Sequence, residues 1–356
     1  MLPEAVRRSL VPIAWVYGAV VRFRNYCYDH QLLRVWHVEV PVISVGNLTV
    51  GGTGKTPVVE YIVRYLAQKG ERIAVLTRGY GRLTHGPLYI DRHRPRNLTF
   101  RETGDEAMQI ALKFPEVDVL IDENRARAAK HAVHHDRASV LIMDDGFQHR
   151  KLKRDVDIVL FDTSLQRNAL RMLPAGMLRE PLGGTRRANV VGLTRCDSAS
   201  ANVPELKLGP GASTVRIAFR ASSIARLGDW NAADPALLAG KLALAFCGIG
   251  NPVSFRQTLE SIGIKVANVL DFGDHHPYGD SDFERIRGAF VRCGADVVVT
   301  TEKDAVRLRP HDSESQWNSL PLYFVSIEAC LVEGEEQFQI ELDKILKAGA
   351  NARRNN

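Results

Sequence analysis

Cysteine is sparse and unpatterned in this chain: Cys27, Cys196, Cys247, Cys293 and Cys330 are scattered through 356 residues, and no two are spaced C-x-x-C. An odd, dispersed set excludes a disulfide framework and a thiolate zinc site, and it suits a reducing compartment. There is no histidine-rich tract, no internal repeat of solenoid length and no low-complexity block. A membrane-spanning run is missing too. The apolar stretch Leu10–Val21 has 12 residues, whereas crossing a bilayer takes about 20. What remains, 45% hydrophobic and 25% charged residues, is ordinary for a globular chain with room for two cores.

The net charge is +6, and residues 1–36 set Arg7, Arg8, Arg22, Arg24 and Arg34 against only Glu4 and Asp29. A short apolar run between arginines reads as an interfacial helix. Its apolar side would lie at the acyl boundary, with arginines toward anionic headgroups and Trp15 and Tyr17 at the interface. A secretory signal would need small residues where Arg22, Arg24, Tyr26 and Tyr28 follow. The plain alternative is a helix that packs on the domain behind it. Basic charge gathered around an apolar run, rather than along a stripe with interleaved aromatics, argues against nucleic acid as the partner.

From residue 40 onward, β-branched runs alternate with helical stretches. The expected strands are Val42–Val45, Ile73–Leu76, Val117–Ile121, Val140–Met143, Ile158–Phe161 and Val190–Leu193. They are continuous apolar runs, as in a parallel sheet covered on both faces. A helix over Val58–Lys69 is closed by Gly70. This is the pattern of an α/β, doubly wound parallel sheet. A polar stretch around Ser198–Ser213 interrupts it, and a shorter series follows with strands at Leu242–Phe246, Asp296–Thr300 and Leu322–Ser326. The expected division is a membrane-associating helix over 1–36, a nucleotide-binding domain over 37–235, a smaller α/β domain over 236–348 and a disordered tail over 349–356.

The strongest local signal is the strand–glycine turn–helix sequence from Val42 to Pro57. Its turn, Thr49-Val50-Gly51-Gly52-Thr53-Gly54, leads into Lys55-Thr56-Pro57. Glycines let backbone N–H groups approach phosphates closely, Lys55 reaches the β- and γ-phosphates, and the Thr56 hydroxyl suits magnesium. Pro57 fits a first helical turn, and the helix N-terminus favours an anion. Thr49 stands where the G-x-x-x-x-G-K-[ST] pattern has its first glycine. Downstream, Val140-Leu-Ile-Met-Asp144-Asp145-Gly146 ends an apolar strand in two carboxylates. An acid at that point lies beside the phosphate loop and can hold the metal shell. Asp144 is the first candidate and Asp145 the second; an ordinary Asp-Gly turn is the alternative.

Further motifs then coincide: Thr77-Arg-Gly-Tyr80-Gly-Arg82, Gly104-Asp105-Glu106, Met143-Asp-Asp-Gly-Phe-Gln148-His149, Leu173-Pro-Ala-Gly-Met-Leu-Arg179-Glu180 and Phe272-Gly-Asp-His275-His276. Together with the phosphate loop they resemble the tetraacyldisaccharide 4′-kinase family of lipid A biosynthesis, from the N-terminal helix to about residue 310. The resemblance implies a P-loop-type kinase that uses ATP and Mg2+ to phosphorylate the 4′-hydroxyl of a tetraacylated glucosamine disaccharide 1-phosphate. It implies a peripheral enzyme on the cytoplasmic face of the bacterial inner membrane, with the anionic membrane surface and the lipid as partners and no obligate protein partner. It also implies an active-site cleft between two α/β/α domains.

By the same resemblance, Asp105 is the general base, assisted by His275. Spacing alone would make Asp105 a helix cap, and His276 is a neighbouring alternative to His275. A carboxylate on a glycine turn is expected to point freely into a cleft. Arg179 is a cation for transition-state charge or the lipid phosphate, or else a surface ion pair. Glu106, Gln148 and His149 are expected around metal and nucleotide, and Tyr80 along the nucleotide or sugar pocket. The competing functions are a nucleotide-driven switch or metallochaperone, which shares the loop, and a nucleic-acid ATPase. Thr194-Arg-Cys-Asp197 only loosely resembles a guanine-reading motif.

Overall fold

The computed structural model describes residues 4–90, 98–135, 137–196, 203–228, 230–308 and 316–354. Two helices open the chain, α1 (Glu4–Ser9) and α2 (Val11–Asp29). The order continues β1 (Val42–Asn47), α3 (Lys55–Gln68), β2 (Ile73–Thr77), β3 (Leu88–Ile90), α4 (Phe100–Thr103), α5 (Asp105–Lys113), β4 (Asp118–Ile121), α6 (Arg125–His134) and β5 (Val140–Asp144). Next come β6 (Val156–Asp162), β7 (Val190–Thr194), β8 (Ser213–Arg226), β9 (Leu242–Cys247), α7 (Pro252–Ser261), β10 (Lys265–Asp271) and α8 (Asp280–Cys293). The chain closes with β11 (Val297–Thr301), α9 (Glu302–Leu308), β12 (Leu322–Glu333) and α10 (Glu335–Arg354).

Among the described residues these strands form one twelve-stranded sheet, ordered β10-β9-β11-β12-β8-β7-β6-β1-β5-β2-β4-β3. Every neighbouring pair is parallel except β12 with β8 and β3 with β4. The central strands β1, β2, β5, β6 and β7 are buried along their whole length, which is why they read as unbroken apolar runs. Helix α3 turns Val58, Val59, Ile62, Val63 and Leu66 into the core at helical spacing. It stops where Gly70 takes φ +77°.

The boundary expected between residues 200 and 240 is crossed by a strand. The first five residues of β8 pair with β7, while almost its whole length pairs with β12. Val215, Ile217, Ala329 and Leu331 of this ribbon belong to the core of the first lobe. Ala225 and Phe324 belong to that of the second. The two lobes therefore share a sheet instead of being joined by a linker. The strand escaped the sequence reading because its first half alternates, with Thr214 and Arg216 exposed between Val215 and Ile217. A second correction concerns the tail. Residues 349–354 continue helix α10, whose Phe338, Leu342 and Leu346 are buried in the first lobe's core. Once a helix is anchored, each added residue gains a hydrogen bond at little further cost. Residues 355–356 lie outside the described residues.

Helix α2 docks through a small-residue face, Ala14, Gly18, Val21 and Cys27. It leaves Ile13, Trp15, Val16, Val20 and Phe23 exposed, Trp15 by 75% and Phe23 by 69%. The arginines expected to face headgroups divide. Arg7 donates to the carbonyls of Ala175 and Asn168, and Arg24 to that of Gln148 at 3.2 Å. Arg34 stacks over Trp36. Arg8 and Arg22 stay at the surface, beside an apolar cleft of about 650 Å3 between α2 and residues 170–182. Among the described residues no helix is long and apolar enough to cross a membrane.

Candidate active site

The phosphate loop joins β1 to α3. Thr49 tolerates the glycine position because it forms a β-bridge with Leu178, an extended conformation that needs no glycine. Val50 N donates to Met177 O at 2.8 Å, and Arg179 N to Leu48 O at 2.7 Å. The same stitching brings Arg179 into the site. Gly51 and Gly54 take φ +105° and +85°, which side chains with a Cβ resist. A Cβ on Gly54 would also meet the Phe219 ring at 2.0 Å. Asn47, which the sequence did not single out, donates from Nδ2 to Thr53 Oγ1 at 3.0 Å. Gln148 donates to Asn47 O at 2.9 Å, a buttress behind the loop. Arg195 reaches Gly52 O at 2.8 Å and pairs with Asp162; Asp197 of the same motif lies outside the described residues.

The two carboxylates that end β5 differ. Asp145, at φ +49°, is gripped by Arg179 NH1 at 2.8 and 3.0 Å and has Lys55 Nζ at 3.5 Å. Burial pushes its carboxyl up, but Lys55 and Arg179 outweigh that and hold it below the usual range. Asp144 faces β1 through the Val45 register and is 1% exposed. Neither of its oxygens has a hydrogen-bond partner. Burial, then the charge of Glu106, pushes it up to about 7 against the pull of Lys55. Two carboxyls repelling each other beside a phosphate loop, one of them orphaned, fit a divalent cation. Among the described residues there is no preformed group of three or more His, Cys, Asp or Glu side chains for a metal. Magnesium at a nucleotide site is typically held by one or two carboxylates with phosphates and water. His149 is a neutral imidazole, pushed down to about 4 by burial and then by Arg125 and other nearby cations.

Asp105 opens α5 after Gly104, so it is the first helical residue and not the cap. It does not point freely into the cleft as expected; it is 4% exposed, and both of its oxygens are hydrogen-bonded, Oδ1 only once. Its Oδ1 accepts from Glu106 N at 2.9 Å. Its Oδ2 meets His275 Nδ1 at 2.9 Å and Arg307 Nε at 2.9 Å, with Arg307 NH2 also donating. Burial raises the carboxyl, but the His275 hydrogen bond and the charges of Lys303 and Arg307 outweigh it and hold it far below the usual range. His275 sits at φ +60°, with the exposed Tyr80 ring 5.1 Å from its own. His276 instead meets Asp282 at 2.9 Å.

These partners arrive from the second lobe, largely on α9. Asp304 accepts from Gly248 N, Thr301 Oγ1 and Tyr278 OH and holds Arg307 NH1 at 2.9 Å. Lys113 of α5 bridges Glu60 of α3 and Glu302 of α9, each at 2.8 Å. The sequence reading missed Lys303, Asp304 and Arg307. Their signal was available: charged residues directly after a parallel strand, where sites in such sheets form, with Lys303 and Arg307 one helical turn apart.

Residues 6–347 match the family model described as tetraacyldisaccharide-1-P 4′-kinase. A relative named tetraacyldisaccharide 4′-kinase from Chlorobaculum tepidum is 35% identical over 95% of this chain and 97% of its own length. Another of that name from Geobacter metallireducens is 35% identical, over 97% of this chain and 100% of its own length. Among solved structures, the "apo" form of LpxK from Aquifex aeolicus in complex with ATP aligns with TM-score 0.78 and 32% identity, covering 96% of this chain and 99% of that one. Matched from α1 to α10 and across both lobes, the chain belongs to the tetraacyldisaccharide-1-P 4′-kinase family.

Proposed function

We propose that this chain transfers the γ-phosphate of ATP to the 4′-hydroxyl of a tetraacylated glucosamine disaccharide 1-phosphate, with Asp105 and His275 handling the acceptor. The observation that carries the reading is the meeting of Asp105 and His275, 170 residues apart in sequence, in a chain with a phosphate loop and an orphaned acid at its metal position. Lys55 and the loop amides would hold the phosphates. Thr56, Asp144 and Glu106 would hold magnesium, which supplies charge neutralisation for the triphosphate. Arg179 organises Asp145 beside Lys55 in the same cluster.

Phosphoryl transfer through a loose transition state asks more for alignment and charge cover than for a strong base. A carboxylate kept ionised by Arg307 and His275 suits that demand: it accepts the hydroxyl's hydrogen bond and fixes its direction. The proton leaves to the Asp105–His275 pair as the new bond forms. The exposed apolar face of α2, and the apolar cleft beside it flanked by Arg8, Arg22 and Arg171, support a peripheral enzyme on an anionic cytoplasmic membrane face that takes an acylated substrate.

The test is turnover of γ-labelled ATP with the tetraacyl disaccharide 1-phosphate in mixed micelles. Expected is label in the lipid, and about 10²–10⁴-fold slower transfer for Asp105→Ala with ATP-analogue affinity unchanged. Lipid-independent ATP hydrolysis with no labelled lipid would favour a nucleotide-driven switch instead.

A further inference from the structure

We propose that Lys303 is a catalytic residue, a cation which the second lobe lends to the phosphoryl group in transfer. The inference rests on the kinase reading above and adds a residue to it.

The first support is placement. Helix α9 is fixed to α5 on both sides of Lys303, by Glu302 to Lys113 at 2.8 Å and by Arg307 to Asp105. Lys303 Nζ is thereby held over the start of α5, 3.6 Å from Glu106 Oε1 and 3.7 Å from Asp105 Oδ2. Glu106 acts electrostatically on Asp144, which also feels Lys55. Two lysines, one from each lobe, thus bracket the carboxyls expected to hold the metal.

The second support is coordination. The four acceptors around Nζ are His275 Nε2 at 3.4 Å, Glu106 at 3.6 Å, Asp105 at 3.7 Å and Asp274 at 3.8 Å. Charge-assisted hydrogen bonds close at about 2.7–2.9 Å. Neighbouring cations do close: Lys113 at 2.8 Å on each of two carboxylates, Arg307 at 2.9 Å on Asp304. An ammonium with three donors, ringed by acceptors and tightly bonded to none, is poised for another anion. The Lys303 side chain is 22% exposed where Arg307 is 2%, so it remains within reach of a ligand from solvent.

The third support is chemical need. Negative charge spreads over the equatorial oxygens in phosphoryl transfer, and a cation brought by a second domain answers it. Two arginines of the site are committed, Arg179 to Asp145 and Arg307 to Asp105. In the step, the acceptor oxygen bonds the γ-phosphorus as the bond from γ-phosphorus to the β–γ bridging oxygen breaks. The electron pair stays on ADP, the hydroxyl proton passes to the Asp105–His275 pair, and Lys303 remains protonated throughout.

The experiment compares full-length wild type, Lys303→Met and Lys303→Arg in lipid phosphorylation, with binding of ADP and of ADP–aluminium fluoride. Expected for Lys303→Met is a kcat lower by about 10²–10³-fold, the scale of one lost transition-state donor, with both KM values within about threefold. Lys303→Arg should regain at least about tenfold, since it restores the charge. Affinity for the transition-state mimic should fall while ADP affinity holds. A kcat within about threefold of wild type overturns the inference, as does a raised lipid KM at unchanged kcat. Parallel loss of ADP and mimic binding also overturns it, marking a structural clasp. If Lys303→Met does not fold, Lys303→Gln carries the same comparison. Failure of the wild type to label the lipid at all would instead overturn the kinase reading.

Discussion

Replacing Asp144 by asparagine should stabilise this protein while removing its activity. Asp144 is 1% exposed, has no hydrogen-bond partner and has its carboxyl pushed up to about 7 from an ordinary 3.8. Holding it ionised at pH 8 without a cation therefore costs about 4 kcal/mol, at roughly 1.4 kcal/mol per pH unit. An amide of the same shape carries no charge but still lacks partners, which returns about 1–3 kcal/mol of that gain. The net stabilisation of Asp144→Asn is about 1–3 kcal/mol, or roughly 1–4 °C in Tm for a chain of 356 residues. Its sign follows from linkage. A carboxyl with a raised folded value binds more protons in the native state, so wild-type stability falls as pH rises from about 4 through about 7. The advantage of the variant should be full at pH 8 and gone near pH 4. Thermal melts in chelator at both pH values measure it. Magnesium with an ATP analogue should then raise the Tm of wild type and leave the variant unmoved. An Asp144→Asn protein that melts below wild type at pH 8, or a gain that ignores pH, would refute the reasoning.

Lys55→Ala and Thr56→Ala should each abolish turnover and weaken magnesium–ATP analogue binding in calorimetry, with melting close to wild type, because neither side chain belongs to the core. Arg307→Met should destabilise by about 3–5 kcal/mol in chemical denaturation, since it strands Asp105 and Asp304 in the interior; adding Asp105→Asn should recover part of the loss. Trp15→Glu with Phe23→Glu should release the protein from anionic vesicles in flotation assays. Its Tm should stay within about 1 °C, as exposed substitutions rarely cost more than about 0.5 kcal/mol.

The strands around β1 were legible because a sheet covered on both faces leaves unbroken apolar runs such as Val140–Met143. Strand β8 was not, since Thr214, Arg216, Arg220 and Arg226 are exposed along it, and β10, with Lys265, Asn268 and Asp271 exposed, was missed likewise. In the site, local motifs gave the loop, the two acids of β5, and the pairing of Asp105 with His275 through family resemblance. What could not be read is who answers whom across the lobes. No spacing tells that Arg307 closes on Asp105, 202 residues away. Nor does it tell that Asp145 takes Arg179 and Lys55 while Asp144 takes nothing. Two adjacent carboxylates look alike in a sequence and are separated only by the cations that the fold brings to one of them. Arg7 and Arg24 likewise looked like headgroup ligands until their carbonyl partners were in view.

Helix α10 carries a consequence for synthesis. Phe338, Leu342 and Leu346 complete a core whose other walls include β1 and α3, and Tyr61 and Tyr65 of α3 hydrogen-bond Glu335 and Asp343. The residues of β1 and α3 emerge from the ribosome before the second lobe, and those of α10 after it. During elongation, the α3 surface around Tyr61 and Tyr65 waits uncovered for some 270 residues, over ten seconds at about 5–20 residues per second. The nascent chain therefore carries an uncovered apolar surface until α10 is made, and the twenty residues of that helix act as the closing step of the fold they dock against.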